Sequence, residues 1–402
     1  MTALKILFVG GMMWFVFTLI AFEDRLVHLV DQKVVQEEVI EIQGDWRADP
    51  VRFVQAGVET EQPASRTLED GRQIDVRPGF LSYLRNLDVA WFALGALCYF
   101  LTVLIAGARW WWLLRVNSMN VSLLEALRFT WIGVFFNTVF PGSTGGDVIK
   151  ALYIMKRCPG HRVQALVSVG VDRILGLGSL ALLGAICVLF ALDQFSTIAM
   201  AIWGVILGVG LLGVVAFSKR LRELVRLTWL LNRLPAKVRS ALQMVDKAVF
   251  FYRDQRSVIV LSLLLGIVNH VLSVFCVVCL GIAIGVGMPT FEYFVLVPVI
   301  NIVSAVPIAP NGWGVGELLY GYLFAEHGAQ HLSNVSDAAM AMRTRGVALS
   351  ILYRTVLTGF SFLAGLLVLF EKDRVTREDI DREVALEESE AEEAARRPLE
   401  DE

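Results

Sequence analysis

The chain has 402 residues, of which 56% are hydrophobic and 19% charged, with a mean hydropathy of +0.60. That composition sets aside an ordinary soluble domain and a nucleic-acid partner and describes a polytopic membrane protein. The formal net charge of -3 says little by itself, because the charges are sorted by loop. Of five cysteines, Cys98, Cys187, Cys276 and Cys279 lie in apolar stretches and Cys158 in a basic loop. No disulfide framework or zinc site follows from them, and Cys276-Val-Val-Cys279 reads as lipid-facing or packing sequence rather than a redox pair.

The first apolar run, Ile6 to Phe22, lies at the short end of the ~17 to 25 residues that span a bilayer. Its exit, Ile20-Ala21-Phe22-Glu23, lacks a small-residue cleavage site, so residues 1–22 read as an uncleaved signal anchor. Residues 23–86 form a polar insert. Val34-Val35, Val39 to Ile42, Val51 to Val54 and Gln73 to Val76 predict short strands, with turns at Gln43-Gly44-Asp45 and Glu69-Asp70-Gly71. Pro78-Gly79 then leads into Phe80 to Arg85, an amphipathic piece suited to the membrane surface.

Loop charges orient the chain. Residues 219–256 carry ten Lys or Arg against three acids, the strongest cytoplasmic mark in the sequence. Working outward, Val205 to Phe217 ends a span that enters the cytoplasm, Val163 to Leu192 leaves it, and Asp193 lies in a tight external turn. Residues 109–162, with seven bases and two acids, are then cytoplasmic at both ends, so the apolar run Ala126 to Phe140 is a re-entrant hairpin broken at Pro141-Gly142. Residues 88–108 form the preceding span, which places the insert, with 13 acids and eight bases, outside and the amino terminus inside.

The second half repeats the plan upside down. Val258 to Gly285 leaves the cytoplasm, Phe291 to Pro310 enters and breaks, Gly314 to Ala325 returns, and Val347 to Phe370 crosses back. The predicted fold is an all-α polytopic membrane protein of the cell (inner) membrane. Within residues 87–370 it holds an inverted repeat of span, re-entrant broken hairpin and span, and it carries a small β-rich extracytoplasmic insert. Arg343 and Arg345, near the outer end of the last span, fit this plan poorly. The alternative has Phe291 to Pro310 crossing completely and the carboxyl end outside. Residues 371–402 read as an acidic, solvated tail.

The two broken segments, Asn137 to Lys150 and Val306 to Leu318, are the candidate sites. Backbone broken at membrane depth is tolerated only where protein or a water-filled cavity covers it, and a matched pair in two halves points to a transport site. Gly142, Gly145 and Gly146 clear side chains from the turn after Asn137 and Pro141, and a helix restarting near Asp147 would aim free N–H groups at a lipid phosphate. Lys150, three residues on, shares a face with Asp147 and adds a cation. Asp147 itself opposes an anion, so its roles are to cap the restart, pair with Lys150, or bind a proton or an amino headgroup. The second segment offers Asn311, Gly312, Gly314, Gly316 and Glu317. The bland reading of both is that Pro and Gly permit close helix packing.

Asp172 and Arg173 sit inside a long span, where an unpaired charge costs about 2.5 to 3.5 kcal/mol; they either line a substrate or ion path or form a structural ion pair. Arg354, in the last span, has Glu317 or a phosphate as partners. Asn269-His270 is either a proton relay or an interhelical hydrogen bond. Trp110, Trp111 and Trp112, between Arg109 and Arg115, read as an interfacial anchor.

Asn137-Thr-Val-Phe-Pro141-Gly-Ser-Thr-Gly-Gly-Asp147, followed by Lys150, resembles the Asn-x-x-x-Pro-Gly-x-x-Gly-Gly-Asp-x-x-(Arg or Lys) signature of the lysylphosphatidylglycerol synthase transmembrane-region, or flippase-like, family. Arg109-Trp110, Leu113-Leu114, Asp172-Arg173 and Gly312-Trp-Gly-Val-Gly-Glu317 match in order, so the resemblance covers about residues 88–370. Gly316 departs from it, standing where a basic residue commonly precedes the Glu, and the insert is not part of the family core. The resemblance implies lipid handling: its best-known members fuse this unit to a soluble aminoacyl-transferase domain. Residues 371–402 number 32, short of the usual ~50 to 250 of a domain, so no lysyltransferase is expected.

The leading expectation is a protein that binds a phospholipid or lipid-linked substrate and moves it between leaflets through a cavity between the hairpins. No cofactor or metal is called for, and no nucleotide-binding loop supports an ATP-driven pump. Two rivals stand beside it. One is a polyprenyl-phosphate-dependent glycosyltransferase using Glu23-Asp24; the other is a non-transporting assembly partner that recruits an envelope protein through residues 23–86.

Overall fold

A computed structural model of the chain describes residues 21–30, 33–69, 72–139, 145–158, 161–217, 252, 255–305, 313–332 and 337–369. The signal anchor apart from its last two residues, most of the basic loop, the acidic tail, Pro141, Gly142, Asn311 and Gly312 lie outside these described residues. The protein is mostly helical. Among the described residues, four helical stretches are long and apolar enough to cross a membrane: Val89–Val116, Val163–Gly208, Ser257–Ala283 and Ala338–Leu366. It is a polytopic membrane protein with a small β-sheet near its amino-terminal end.

Two compact units emerge, one from residues up to 102 together with 271–360, the other from residues 103–140, 144–270 and 361 onward. The first unit carries the sheet: β1 (Asp24–Val30), β2 (Lys33–Gln43), β3 (Val51–Gln55), β4 (Val58–Gln62), β5 (Ser65–Thr67) and β6 (Gln73–Arg77). The strands pair antiparallel in the order β4-β3-β2-β1-β6-β5. Leu26, Ile40, Ile42, Val51, Phe53 and Val76 form its core.

Strand β1, between β2 and β6, was not among the predicted strands, because Glu23-Asp24-Arg25 reads as a charged exit from the preceding apolar run. Its Leu26 and Val27 are both buried, so it lacks the apolar-polar alternation of a half-buried strand. Asp24, half of the acidic pair proposed for sugar transfer, is a structural anchor. Its carboxylate accepts hydrogen bonds from Gly79 N–H (2.7 Å), Ile42 N–H (3.0 Å) and the Ser82 hydroxyl (2.9 Å).

Helix α1 (Phe80–Arg85) follows. Its sequence predicts a surface-lying piece, but Phe80, Ser82 and Tyr83 are buried, and Tyr83 meets Trp46 edge-on at 5.1 Å. Protein rather than lipid covers that side. The same unit holds α8 (Thr290–Ser304) and α9 (Val315–Gly328) and shares with the second unit α2 (Val89–Val116), α7 (Arg256–Ala283) and α10 (Ala338–Leu369).

Arg345, the residue that fits the sequence plan poorly, is buried and fully engaged. It donates from Nη1 to Val286 O (2.9 Å) and Gly285 O (3.3 Å) and from Nε to Tyr83 Oη (3.2 Å), with its guanidinium 5.1 Å from the Trp46 ring. Arg47 donates to Ala283 O at 3.0 Å. The last carbonyls of a helix lack intrahelical donors and favour cations; Arg47 serves the last carbonyl of α7, and Arg345 the loop carbonyls just beyond it. Gly285 permits the approach: its φ is +70, and a Cβ there would lie 2.7 Å from Arg47 Nε.

The second unit holds α3 (Leu123–Val139), α4 (Gly145–Arg157), α5 (Arg162–Val188) and α6 (Leu192–Phe217). Ser122 and Glu125 form a capping box that starts α3: Glu125 Oε2 accepts from Ser122 N–H (2.8 Å) and the Ser122 hydroxyl (2.9 Å), and Ser122 Oγ accepts from Glu125 N–H (3.2 Å). Arg157, at the end of α4, donates to Glu125 Oε1 at 2.6 Å. Higher up, the Phe129 and Tyr153 rings stack 5.0 Å apart.

The predicted external turn at Asp193 is tighter than expected. Val163–Gly208 is helical throughout apart from a 3-10 turn at Leu189–Ala191 and a non-helical Phe195 (φ -121, ψ 32). Its 46 residues would run about 69 Å as one straight helix, more than twice a hydrocarbon core of ~30 Å. The stretch therefore holds enough helix for two spans, meeting at that irregularity.

Candidate functional site

The first broken segment folds as two helices in close contact. Asn137, in the last turn of α3, accepts a hydrogen bond through Oδ1 from Gly146 N–H at 2.8 Å, which satisfies a free donor in the first turn of α4. A Cβ on Gly146 would sit 2.0 Å from Gly133 O and 2.7 Å from Asn137 Cγ, so only glycine allows this approach. Gly145 is the first residue of α4. Gly133, on α3, is the matching small residue that the sequence reading passed over; a Cβ there would lie 2.9 Å from Lys150 Cγ.

One turn beyond Gly146, Lys150 is buried at 7% exposure. Its ammonium lies 3.6 Å from Asp172 Oδ2 on α5 and 4.1 Å from the centre of the Trp110 ring on α2. Asp147 pairs instead with Arg173, whose Nη2 is 2.9 Å from Asp147 Oδ2. The adjacent residues Asp172 and Arg173 thus each reach across to α4, and the Asp147–Lys150 pair expected from helix spacing gives way to two tertiary pairs.

Arg109 completes the cluster, and the sequence reading gave it no chemistry. It is 6% exposed, donates from Nε to Asp172 Oδ1 (2.8 Å) and from Nη2 to Asp172 O (3.1 Å), and leaves Nη1 without a hydrogen-bond partner. Trp110 is fully buried and donates from Nε1 to Ser168 Oγ at 3.3 Å. Arg109 and Trp110 are therefore core residues and not part of an interfacial anchor. Leu104-Ile-Ala-Gly-Ala108 ahead of Arg109 was the available signal: an isolated cation after an apolar run inside a span requires a buried partner.

Among the described residues the cluster brings together three cations, Arg109, Lys150 and Arg173, and two carboxylates, Asp147 and Asp172. Its members differ in access. Arg109, Lys150 and Asp172 are buried, whereas the side chains of Arg173 and Asp147 are 41% and 23% exposed. Such an arrangement can hold an anion at its accessible edge while the buried triad fixes the frame.

In the other unit, Gly314 takes φ +82 as the N-cap of α9, and its N–H donates to Glu317 Oε2 at 2.6 Å. Glu317 is fully buried and accepts through Oε1 from Arg354 Nε. The Arg354 guanidinium stacks 4.8 Å from the Trp313 ring. A Cβ on Gly316 would lie 2.5 Å from Arg354 Nη2. The absent side chain at 316 thus makes room for the arginine supplied by α10.

His270 donates from Nε2 to Gly176 O at 2.9 Å, an interhelical hydrogen bond between α7 and α5. Cys276 and Cys279 are fully buried packing residues. Among the described residues, no three His, Cys, Asp or Glu side chains gather as a metal site.

Residues 79–365 match the family described as the lysylphosphatidylglycerol synthase TM region. The UPF0104 membrane protein PH1989 of Pyrococcus horikoshii is 26% identical over 282 residues, which cover 64% of this chain and 83% of the Pyrococcus protein. No solved structure matches the chain at a significant level. The family match begins after β6, so it leaves out the sheet and takes in every member of both polar clusters. The chain belongs to the lysylphosphatidylglycerol synthase TM region family.

Proposed function

We propose that this protein binds a phosphate-bearing lipid at the Lys150–Arg173 cluster and carries its headgroup between leaflets of the cell membrane. The observation behind this reading is the gathering of three cations with two carboxylates, among the described residues, in a largely buried cluster whose Arg173 edge is accessible. Charges inside an apolar helical unit are costly unless paired or used, and cations gathered there favour an anionic ligand. Lys150 and Arg173 supply the charge, and Asn137, Gly145 and Gly146 shape the approach.

The α3–α4 and α8–α9 pairs are read as re-entrant hairpins. In support, these helices have 17, 13, 15 and 14 residues, so at ~1.5 Å per residue each falls short of a hydrocarbon core of ~30 Å. Loop charges give the two pairs opposite orientation, as in an inverted repeat, with residues 23–86 extracytoplasmic and the amino terminus cytoplasmic. Glu317, Arg354, Gly314 and Gly316 form the second site.

The test is purified protein in liposomes containing a fluorescent acyl-labelled phospholipid, with an impermeant quencher reporting the outer leaflet. The wild type should expose inner-leaflet lipid to the quencher, and Lys150→Gln and Gly146→Leu should lose that activity. Equal rates for wild type, both variants and empty liposomes would overturn the reading.

A further inference from the structure

Within the cluster, the two anions are held in very different ways. Asp172 is gripped by Arg109 through side chain and main chain, at 2.8 Å and 3.1 Å, and by Lys150 at 3.6 Å, and all three residues are buried. Lys150 is further held against the Trp110 ring. Asp147 pairs with Arg173, and both side chains are partly exposed. An incoming phosphate can reach Arg173 without breaking the buried triad.

The surroundings of Asp147 decide what happens to it when that exchange occurs. Among the described residues, the charged groups that face it are Arg173 and Asp172 from α5 and Lys150 from its own helix, while α3 contributes the neutral Asn137 next door at Gly146. Once Arg173 turns to a phosphate, the remaining described cation facing Asp147 is Lys150, which already serves Asp172. Asp172 keeps Arg109 and Lys150, so the loss of Arg173 falls on Asp147, and a new anion beside it disfavours its negative charge.

We infer that the phosphate of the lipid replaces Asp147 on Arg173 and that Asp147 takes up a proton as it is released, so that lipid binding at this site is coupled to protons. This rests on the lipid-binding reading of the same cluster. The balance is simple: Asp147 carboxylate and one proton from water give the neutral acid, Arg173 stays protonated, and the phosphate keeps its charge. The net charge of the site is thereby unchanged, since one anion and one proton arrive together.

Calorimetric titration of the detergent-solubilised full chain with dihexanoyl phosphatidylethanol tests this. That phosphodiester carries one negative charge and no group that titrates near neutral pH. Two buffers of different ionisation enthalpy count the protons taken up. The wild type should take up about one proton per lipid, and its Kd should fall about tenfold for each unit decrease in pH around neutrality. Asp147→Glu should keep the proton uptake. Asp147→Asn, which removes the competing anion, should bind more tightly, with no proton uptake and an affinity flat with pH.

Binding by the wild type without proton uptake, or uptake that persists in Asp147→Asn, overturns the proton coupling and leaves the lipid site standing. No binding at any pH overturns both.

Discussion

The guanidinium of Arg345 donates to the main-chain carbonyl of Val286 at 2.9 Å while lying over the Trp46 ring of the sheet unit. One side chain thus ties the loop that follows α7 to Trp46 of the sheet region. Charged hydrogen bonds of this kind contribute about 1.5 to 3 kcal/mol. Arg345→Ala should therefore cost about 3 kcal/mol, read as a lower unfolding temperature in detergent and faster proteolysis within residues 23–86. Arg345→Lys should recover part of the loss, because an ammonium reaches one carbonyl but lacks the planar fork that serves Val286, Gly285 and Tyr83 together.

Glycine substitutions in the first hairpin separate packing from ligand binding. A methyl group at Gly146 meets the Gly133 carbonyl, which cannot move without parting the helices, so Gly146→Ala should destabilise the protein by about 2 kcal/mol. At Gly133 the first atom met is Lys150 Cγ, on a flexible side chain. Gly133→Ala should cost about 1 kcal/mol yet weaken lipid binding, because it displaces the ammonium. Unfolding curves and lipid titration on the same two variants check the pair.

How much of this was legible in the sequence depends on how local each relationship is. Asn137, Gly146, Asp147 and Lys150 fall within one short motif, so their gathering at one turn could be read directly. Their pairing could not. Helix spacing favours Asp147 with Lys150, but the carboxylate and guanidinium of Asp172 and Arg173 arrive from a separate helix and take one partner each. Arg109 and Trp110 were hidden by their neighbours, since Trp111, Trp112 and Arg115 make the segment look interfacial. Strand β1 was hidden by burial on both faces, which erases alternation. Arg345 looked misplaced because its partners are main-chain carbonyls and aromatic rings far off in sequence.

The base of the first hairpin predicts an acid-sensitive contact. Partial burial pushes the Glu125 carboxyl up, but hydrogen bonds from Arg157 and Ser122 outweigh it and hold the group at about 2, below its ordinary value of 4.5. The sign follows from the lowered folded-state value: the charged form is favoured in the fold, so the contribution is present above about 4.5 and lost as pH falls toward about 2. Melting temperature should drop over that interval in the wild type, and Glu125→Gln should melt lower at neutral pH and show a smaller further drop in acid.

The Arg109–Asp172 pair offers the sharpest separation of structural from functional roles. Removing one member of a buried pair strands the other charge, and Arg109→Met should cost about 3 to 5 kcal/mol. Replacing both with apolar residues of similar size often leaves stability intact, so Arg109→Met with Asp172→Leu should fold far better than the single variant. Lys150 then keeps the Trp110 ring and has Asp147 as the next carboxylate on its own helix face. If the pair only joins helices, the double variant should move lipid in liposomes at the wild-type rate. A positioning role for the pair predicts the opposite. The balance of cations over carboxylates is unchanged in the double variant, but the frame that holds Lys150 in place is lost and Lys150 is drawn to Asp147, so lipid movement should fall at least tenfold while the unfolding temperature recovers. A double variant that both folds and transports like the wild type would remove Asp172 and Arg109 from the site.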